Sequence, residues 1–261
     1  YTLLSRVLGY LRDILIAFFL GTSVYADAFF VAFRLPNTFR RLFAEGTFNA
    51  AFIPSYAEEK LKGEETGKKF ADEVFNLLLF FLILLVLVIE IFTPFLVYLI
   101  APGFYNDPEK FSLATEFTRI TFPFLLFVSL SSLLSGILNT NNKFAAAAAA
   151  PIVLNIVLIL SMLVSFYFNQ GFAKNLSIGV TLAGILQLIV LFIFTRKFYF
   201  PSVKFSFKTG ESLKRFFRKL LPSIFSSGIT QINILIGTII ASFQSGAVSY
   251  LYYADRVYQI N

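Results

Sequence analysis

The chain contains neither cysteine nor histidine. Disulfides are therefore excluded, as are Cys- or His-ligated metal sites and catalysis by thiolate or imidazole. Charge is scarce too. Only 14% of the 261 residues are charged, against about 25% in an ordinary soluble domain. No G-x-x-x-x-G-K-[ST] nucleotide loop is present, so ATP-driven transport is not encoded here. The acidic residues show no metal-binding spacing in a water-facing loop, which argues against an enzyme acting on lipid phosphates.

What the chain does have is apolar length. Apolar residues make up 57% of it, and the mean hydropathy is +0.75. Several apolar runs reach the roughly 20 residues that a spanning helix needs. They are continuous rather than alternating, so strands are not expected. The reading is an all-α, polytopic transmembrane helix bundle of about eight spans. These fall near residues 1–20, 24–56 (with kinks at Pro36 and Pro54), 71–100, 111–138 (through Pro123), 144–168, 176–194 and 220–243, with the eighth starting near 247. No cleavable signal peptide pattern is visible. Tyr1 already sits in an apolar helix and Asn261 falls in mid-helix, so both ends are expected to be trimmed.

Loop charge orients the spans. Thirteen Lys and Arg residues, from Lys60 to Lys219, occupy alternate loops, and the opposite loops offer only Lys110 and Lys174. The basic loops are then cytoplasmic, and the first helix runs outward. This bias accounts for the net charge of +7 without invoking nucleic acid. Residues 202–219 alternate Phe and Leu with Lys and Arg, the pattern of an interfacial amphipathic segment. The expected division is a first six-helix lobe over 1–197, a cytoplasmic linker over 198–219, and the first two helices of a second lobe over 220–261. A shift of 225 residues places Ile14, Phe18, Gly21 and Tyr25 on Ile239, Phe243, Gly246 and Tyr250. This is a faint repeat of the kind from which transporters are built.

The informative residues are charges where lipid is expected. Ser5, Arg6, Gly9, Arg12 and Asp13 share one stripe of the first helix. A charge at the bilayer centre costs about 2.5–3.5 kcal/mol on insertion scales, so such residues face a protein interior or a watery cavity. The second helix adds Asp27, Arg34, Arg40, Arg41 and Glu45, with Arg41 and Glu45 spaced to pair. The eighth carries Tyr252, Asp255, Arg256 and Gln259 on one stripe, and Asp255 is an alternative neutraliser of Arg256. Arginine exceeds acid across the three helices. An excess of guanidinium suits a phosphate or pyrophosphate, which Arg holds bidentately. Glu90 and Arg119 are further intramembrane charges, able to pair or, for Arg119, to snorkel. The Ser131–Gly136 and Ala145–Ala150 stretches read as close helix packing.

The motifs S-R-x-L-G-x-x-R-D (Ser5–Asp13), D-A-F-F-V-A-F-R-L-P-N (Asp27–Asn37), R-R-L-F-A-E-G (Arg40–Gly46) and Ala50-x-Phe52-Ile53-Pro54 stand in order. A-P-G-F (Ala101–Phe104), I-T-F-P (Ile120–Pro123) and Y-Y-A-D-R (Tyr252–Arg256) follow. Together they resemble the MurJ (MviN) family of the multidrug/oligosaccharidyl-lipid/polysaccharide (MOP) exporter superfamily. The resemblance implies the first lobe, and the start of the second, of a two-lobe, fourteen-helix lipid II flippase in the bacterial cytoplasmic membrane. It implies substrate contact by Arg6, Arg12, Arg40 and Arg256. Asp13, Asp27, Arg34, Arg41, Glu45 and Asp255 would support the site or couple an ion. No metal or cofactor is implied, and dependence on membrane potential, H+ or Na+ stays open. The implied partners are lipid II and membrane lipids, acting on a monomer. The alternatives are a related exporter of another polyprenyl-linked glycan or a drug, and a non-transporting scaffold that binds anionic lipid.

Overall fold

In a computed structural model the chain is described over residues 2–44, 47–203 and 210–258, with the side chains of 2, 39–44 and 223–230 outside that description. The described residues form ten α-helices: α1 Thr2–Leu20, α2 Val24–Ala44, α3 Thr47–Lys62, α4 Glu64–Ile100, α5 Pro108–Thr121, α6 Phe124–Thr140, α7 Phe144–Phe168, α8 Phe172–Thr195, α9 Glu211–Ala241 and α10 Ala247–Tyr258. A 3-10 turn, Pro102–Asn106, joins α4 to α5. Among the described residues there is no strand.

Four helical stretches among the described residues are long and apolar enough to cross a membrane: Glu64–Ile100, Pro108–Thr140, Phe144–Phe168 and Phe172–Thr195. The second is α5 and α6 joined through Pro123, whose backbone stays in the helical region (φ −57°, ψ −22°). Charge lowers the hydropathy of α1, α2 and α10, as their sequences predict. The segment expected as one span over 24–56 is instead two helices, α2 and α3, and α3 continues to Lys62. Pro36 and Pro54 lie within them. An unexpected kink lies in α4, where Phe92 leaves helical geometry (φ −97°, ψ 18°) two residues before Pro94. A proline cannot donate to the preceding turn, which bends the helix there.

Two cores organise the packing. One gathers α1, α2, α5, α7, α8 and α10 around Phe29, Phe30, Phe104, Phe117 and Leu158. The other lies toward the basic end and joins α3, α4, α6 and α9 through Phe48, Phe52, Phe70, Leu134 and Phe216. Here the structure differs from the interfacial reading of residues 202–219. Residues 211–219 form the first turns of α9, which runs on to Ala241 without a break at 220. Leu213, Phe216 and Leu220 are buried, and Phe216 meets Phe48 and Phe70 edge-on at 5.7 and 6.0 Å. The apolar face of residues 211–220 is thus covered by protein, and residues 204–209 of the expected interfacial segment lie outside the described residues.

Ionic contacts reinforce the same junction. Arg215 reaches Glu58 at 3.1 Å and Glu59 at 3.4 Å, and Ser212 donates to Glu59 at 2.8 Å. Burial disfavours the charged form of Glu59. Bonds from Lys62 and Ser212 and the charges of Lys62 and Arg215 outweigh that, so its pKa falls below the usual 4.5.

At the opposite end, the external one by the charge rule, the α9–α10 turn rests on the α1–α2 turn. Gly21 and Gly246 coincide under the 225-residue shift, and both take positive φ (56° and 73°). Tyr253 donates to the Gly21 carbonyl at 2.7 Å. Gly103 donates to Ser242 Oγ at 3.0 Å, and a Cβ on Gly103 would collide with the Ser242 backbone.

Two outcomes follow from these junctions. Gly103→Ala forces backbone apart and should cost the full-length protein about 1–3 kcal/mol, measured by denaturant unfolding in detergent. Glu59 has a depressed folded pKa, so its contribution is present above its unfolded pKa and lost as pH falls through the lower folded value. Hydrogen exchange at the start of α9 should accelerate in acid relative to mid-α8, and Glu59→Gln should remove that acid dependence.

Candidate functional site

Arg12 and Asp13 are both buried, at 7% and 8% exposure, in a helix that is otherwise largely apolar. A guanidinium removed from water needs partners for its five donors. Arg12 Nε and one terminal nitrogen donate to Asp13 Oδ1 at 2.9 and 2.6 Å. The other terminal nitrogen donates to Asn155 Oδ1 of α7 at 2.9 Å. Asn155 in turn donates to the Ser5 carbonyl at 3.0 Å and packs against Gly9. The stripe Ser5–Gly9–Arg12 is thus read by one amide from α7.

The carboxylate of Asp13 is shared between α1 and α10. Tyr252 of α10 donates to Oδ1 at 3.1 Å, and Arg256 Nε lies 3.4 Å from Oδ2. Tyr252 stacks on Phe30 at 4.0 Å, and the Arg256 guanidinium lies 4.8 Å from the Tyr252 ring centre. Two guanidinium groups therefore converge on one carboxylate where α1 and α10 meet, with Asn155 of α7 completing the set.

A second buried carboxylate is differently furnished. Asp27 has no exposure. Its Oδ2 accepts from Lys110 Nζ at 2.6 Å and from the Gly246 amide at 2.9 Å. Its Oδ1 accepts from the Ser249 amide at 2.9 Å and the Ser249 hydroxyl at 2.5 Å. The acid thereby caps the N-terminus of α10, where amides lack helical acceptors and the dipole favours negative charge. Lys110, which also lies 4.3 Å above the Phe104 ring, fastens α5 to the same point. Reading Lys110 as an external loop charge is therefore corrected. It is buried on the first turn of α5 because Asp27 needs a counter-charge out of water.

Among the expected substrate residues, the structure brings Arg12 and Arg256 together and leaves Arg6 exposed on α1. The side chains of Arg40 and Arg41, and all of Glu45 and Gln259, lie outside the described residues. Arg34 and Asp255 are half-buried. The carboxylate within ion-pair distance of Arg256 is Asp13, and among the described residues no such pair joins Asp255. Arg119 is exposed and forms no ion pair with Glu90 among the described residues. Glu90 Oε1 is buried without a hydrogen-bond partner. Sequence reasoning missed Asn155, Lys110 and Ser249. A lone Asn inside a 25-residue apolar helix is the available signal for the first.

The described helices form a bundle with buried cationic groups where α1 and α7 meet the α9–α10 hairpin, and its fold is that of solved membrane transporters. An inward-facing multidrug MATE transporter of the MOP superfamily matches over 98% of this chain and 58% of its own, with a TM-score of 0.73 at 16% identity, a likeness of fold alone. A structure described as lipid II flippase MurJ in an inward closed conformation matches over 99% of this chain and 53% of its own, with a TM-score of 0.86 at 30% identity. The family model described as lipid II flippase MurJ matches residues 16–261. A relative in Rhizobium meliloti (strain 1021), named "Probable lipid II flippase MurJ", is 44% identical over 99% of this chain and 49% of its own length. The lipid II flippase MurJ of Burkholderia cenocepacia is 37% identical over 98% and 51%. The chain belongs to the MurJ family, one of multi-pass membrane transporters rather than enzymes, and spans about half the length of the curated relatives it matches.

The Asp27 clamp yields a direct test. Asp27→Asn keeps the shape but strands Lys110 and offers donors to the α10 amides, and breaking a buried pair typically costs about 3–5 kcal/mol. In the full-length protein, hydrogen exchange at the first turn of α10 should accelerate in the Asn variant relative to mid-α8.

Proposed function

We propose that this chain forms the pyrophosphate-binding half of a lipid II flippase of the bacterial cytoplasmic membrane. The observation that carries the reading is the convergence of Arg12 and Arg256 on Asp13. Names borne by relatives supply the substrate, and the chemistry of the cluster is consistent with it.

A pyrophosphate arriving at this point competes with Asp13 for both guanidinium groups. Arg offers planar, paired donors to such an anion, and the low local dielectric strengthens the attraction. Once the anion takes Arg256, the tie between α1 and α10 is replaced by a tie through substrate. Arg6 and Arg34 extend the positive surface along α1 and α2, and Arg40 and Arg41, whose side chains lie outside the described residues, are the further candidates that the sequence offers. Alternating access then consists of parting the Asp27–Ser249–Lys110 clamp at the external end while the lobes rock about the bound headgroup. Asp13, Asp27 and Glu45 are the groups able to carry a coupling proton or bind a cation, with membrane potential as the other source of drive.

A drug exporter of the same superfamily would need acidic excess for cationic cargo, and the arginine surplus speaks against it. A scaffold that only binds anionic lipid is separated from a flippase by transport itself. The test is translocation of fluorescent lipid II into the outer leaflet of liposomes bearing the full-length protein. Arg12→Ala is expected to abolish transport with the protein still folded, and Arg12→Lys to impair it because bidentate geometry is lost. Undiminished transport by Arg12→Ala would overturn the assignment. Binding without transport by the wild type, with and without an imposed potential, would favour the scaffold.

A further inference from the structure

Between α3, α6, α7 and α8 lies a cavity of about 400 Å³, within the range of about 300–1,000 Å³ typical of small-ligand sites. Its hydrogen-bonding side chains are Asn49, Ser131, Ser132, Ser135, Asn139 and Gln187, and no charged residue is among the described lining. Ser131, only 3% exposed, has its hydroxyl buried without a hydrogen-bond partner, as does Asn49 through its Oδ1. Buried polar atoms are nearly always satisfied, so such exceptions call for an explanation. A third acceptor comes from the backbone. Pro151 has no N–H to give to the Ala147 carbonyl, and both residues line the cavity. The small side chains of Ala147, Ala148 and Ala150 leave the space open, and Gln187 is held in place by donating to the Ala150 carbonyl at 2.9 Å.

The cavity therefore offers acceptors and hydroxyls, and no charge. It suits a neutral guest rich in O–H and N–H donors. Its wall includes Leu154, and the next residue, Asn155, holds Arg12. One helix thus borders both the neutral cavity and the cationic cluster. We propose that this cavity is a subsite for the uncharged, hydroxyl- and amide-bearing saccharide portion of the lipid-linked substrate, whose pyrophosphate occupies the Arg12 cluster. The proposal rests on that pyrophosphate reading. The stretch that sequence alone assigns to close helix packing would then set headgroup specificity.

The test compares two ligands on full-length protein in detergent: a polyprenyl pyrophosphate without sugar, and the same lipid bearing an N-acetylated disaccharide. Ser131→Thr and Ser131→Val add similar bulk, but only Val removes the hydroxyl. Wild type is expected to favour the glycosylated lipid. Ser131→Thr should retain most of that preference, and Ser131→Val or Asn49→Leu should reduce it by about tenfold or more with sugar-free binding unchanged. Equal preference in wild type, Ser131→Val and Asn49→Leu would overturn the subsite. Should wild type bind neither lipid, the pyrophosphate reading fails. Saturation-transfer NMR with free N-acetylglucosamine then decides the cavity separately. A transfer signal abolished by Ser131→Val but retained in Ser131→Thr supports the subsite, and the lack of any signal in wild type overturns it.

Discussion

A carboxylate that leaves water must be matched donor for donor, and the junction between this lobe and the following hairpin is built on two unequal answers to that demand. Asp27 is completely answered. A lysine, two backbone amides and a hydroxyl reach its two oxygens within 2.5–2.9 Å. It ties α2, α5 and α10 at a single buried point and fixes where α10 begins. Asp13 is answered unevenly. Arg12 holds one oxygen closely, while Arg256 stands 3.4 Å from the other. The first arrangement locks, and the second leaves cationic capacity that an anion can use.

How much of this is legible in the sequence follows from what stands out against an apolar background. Arg12 and Asp13 are conspicuous because charge in a spanning helix is costly, and the structure places both in one buried cluster with Arg256. Lys110 misleads because a lysine near a helix start, between two spans, looks like any solvated loop charge. Only the chain fold brings it to Asp27, 83 residues earlier. Asn155 is marked only as the lone amide of an apolar helix and Ser249 by nothing in composition, although each supplies a contact to a buried ion. The α9 segment misleads in the opposite direction. Alternating Phe and Lys is the pattern of an interfacial helix, but it is equally the pattern of a helix with one face on a neighbouring core. Phe48, Phe52 and Phe70 provide that core from distant parts of the chain.

The 225-residue repeat gains physical content in the same way. Sequence identity between the two hairpins is low, yet Gly21 and Gly246 fall in register and both adopt positive φ. Gly21 directly follows the last residue of α1, where a left-handed conformation favours glycine, whereas Gly246 takes its positive φ in the turn just before α10. The Gly21 carbonyl receives Tyr253 and the Gly246 amide donates to Asp27, so each turn is recognised by the opposite hairpin. The two hairpins therefore bind one another reciprocally.

The two ends of this interface are held by forces of different strength, and this bears on the direction of the proposed cycle. Toward the cytoplasm, α9 is attached by buried aromatic packing plus exposed ion pairs such as Arg215–Glu58, and exposed pairs contribute only about 0–1 kcal/mol each. Toward the exterior, the attachment is the desolvated Asp27 clamp, whose charges are stranded if it opens without water or another partner to receive them. In the proposed cycle, parting the Asp27 clamp is the step to which drive is assigned. A ligand can shift such an equilibrium only by binding one state more tightly than the other. An anion that replaces Asp13 as the partner of Arg256 would do so best in a state where α1, carrying Arg12 and Asp13 together, has drawn away from α10. In the proposed mechanism, the incomplete answer at Asp13 is what lets substrate binding work against the complete one at Asp27.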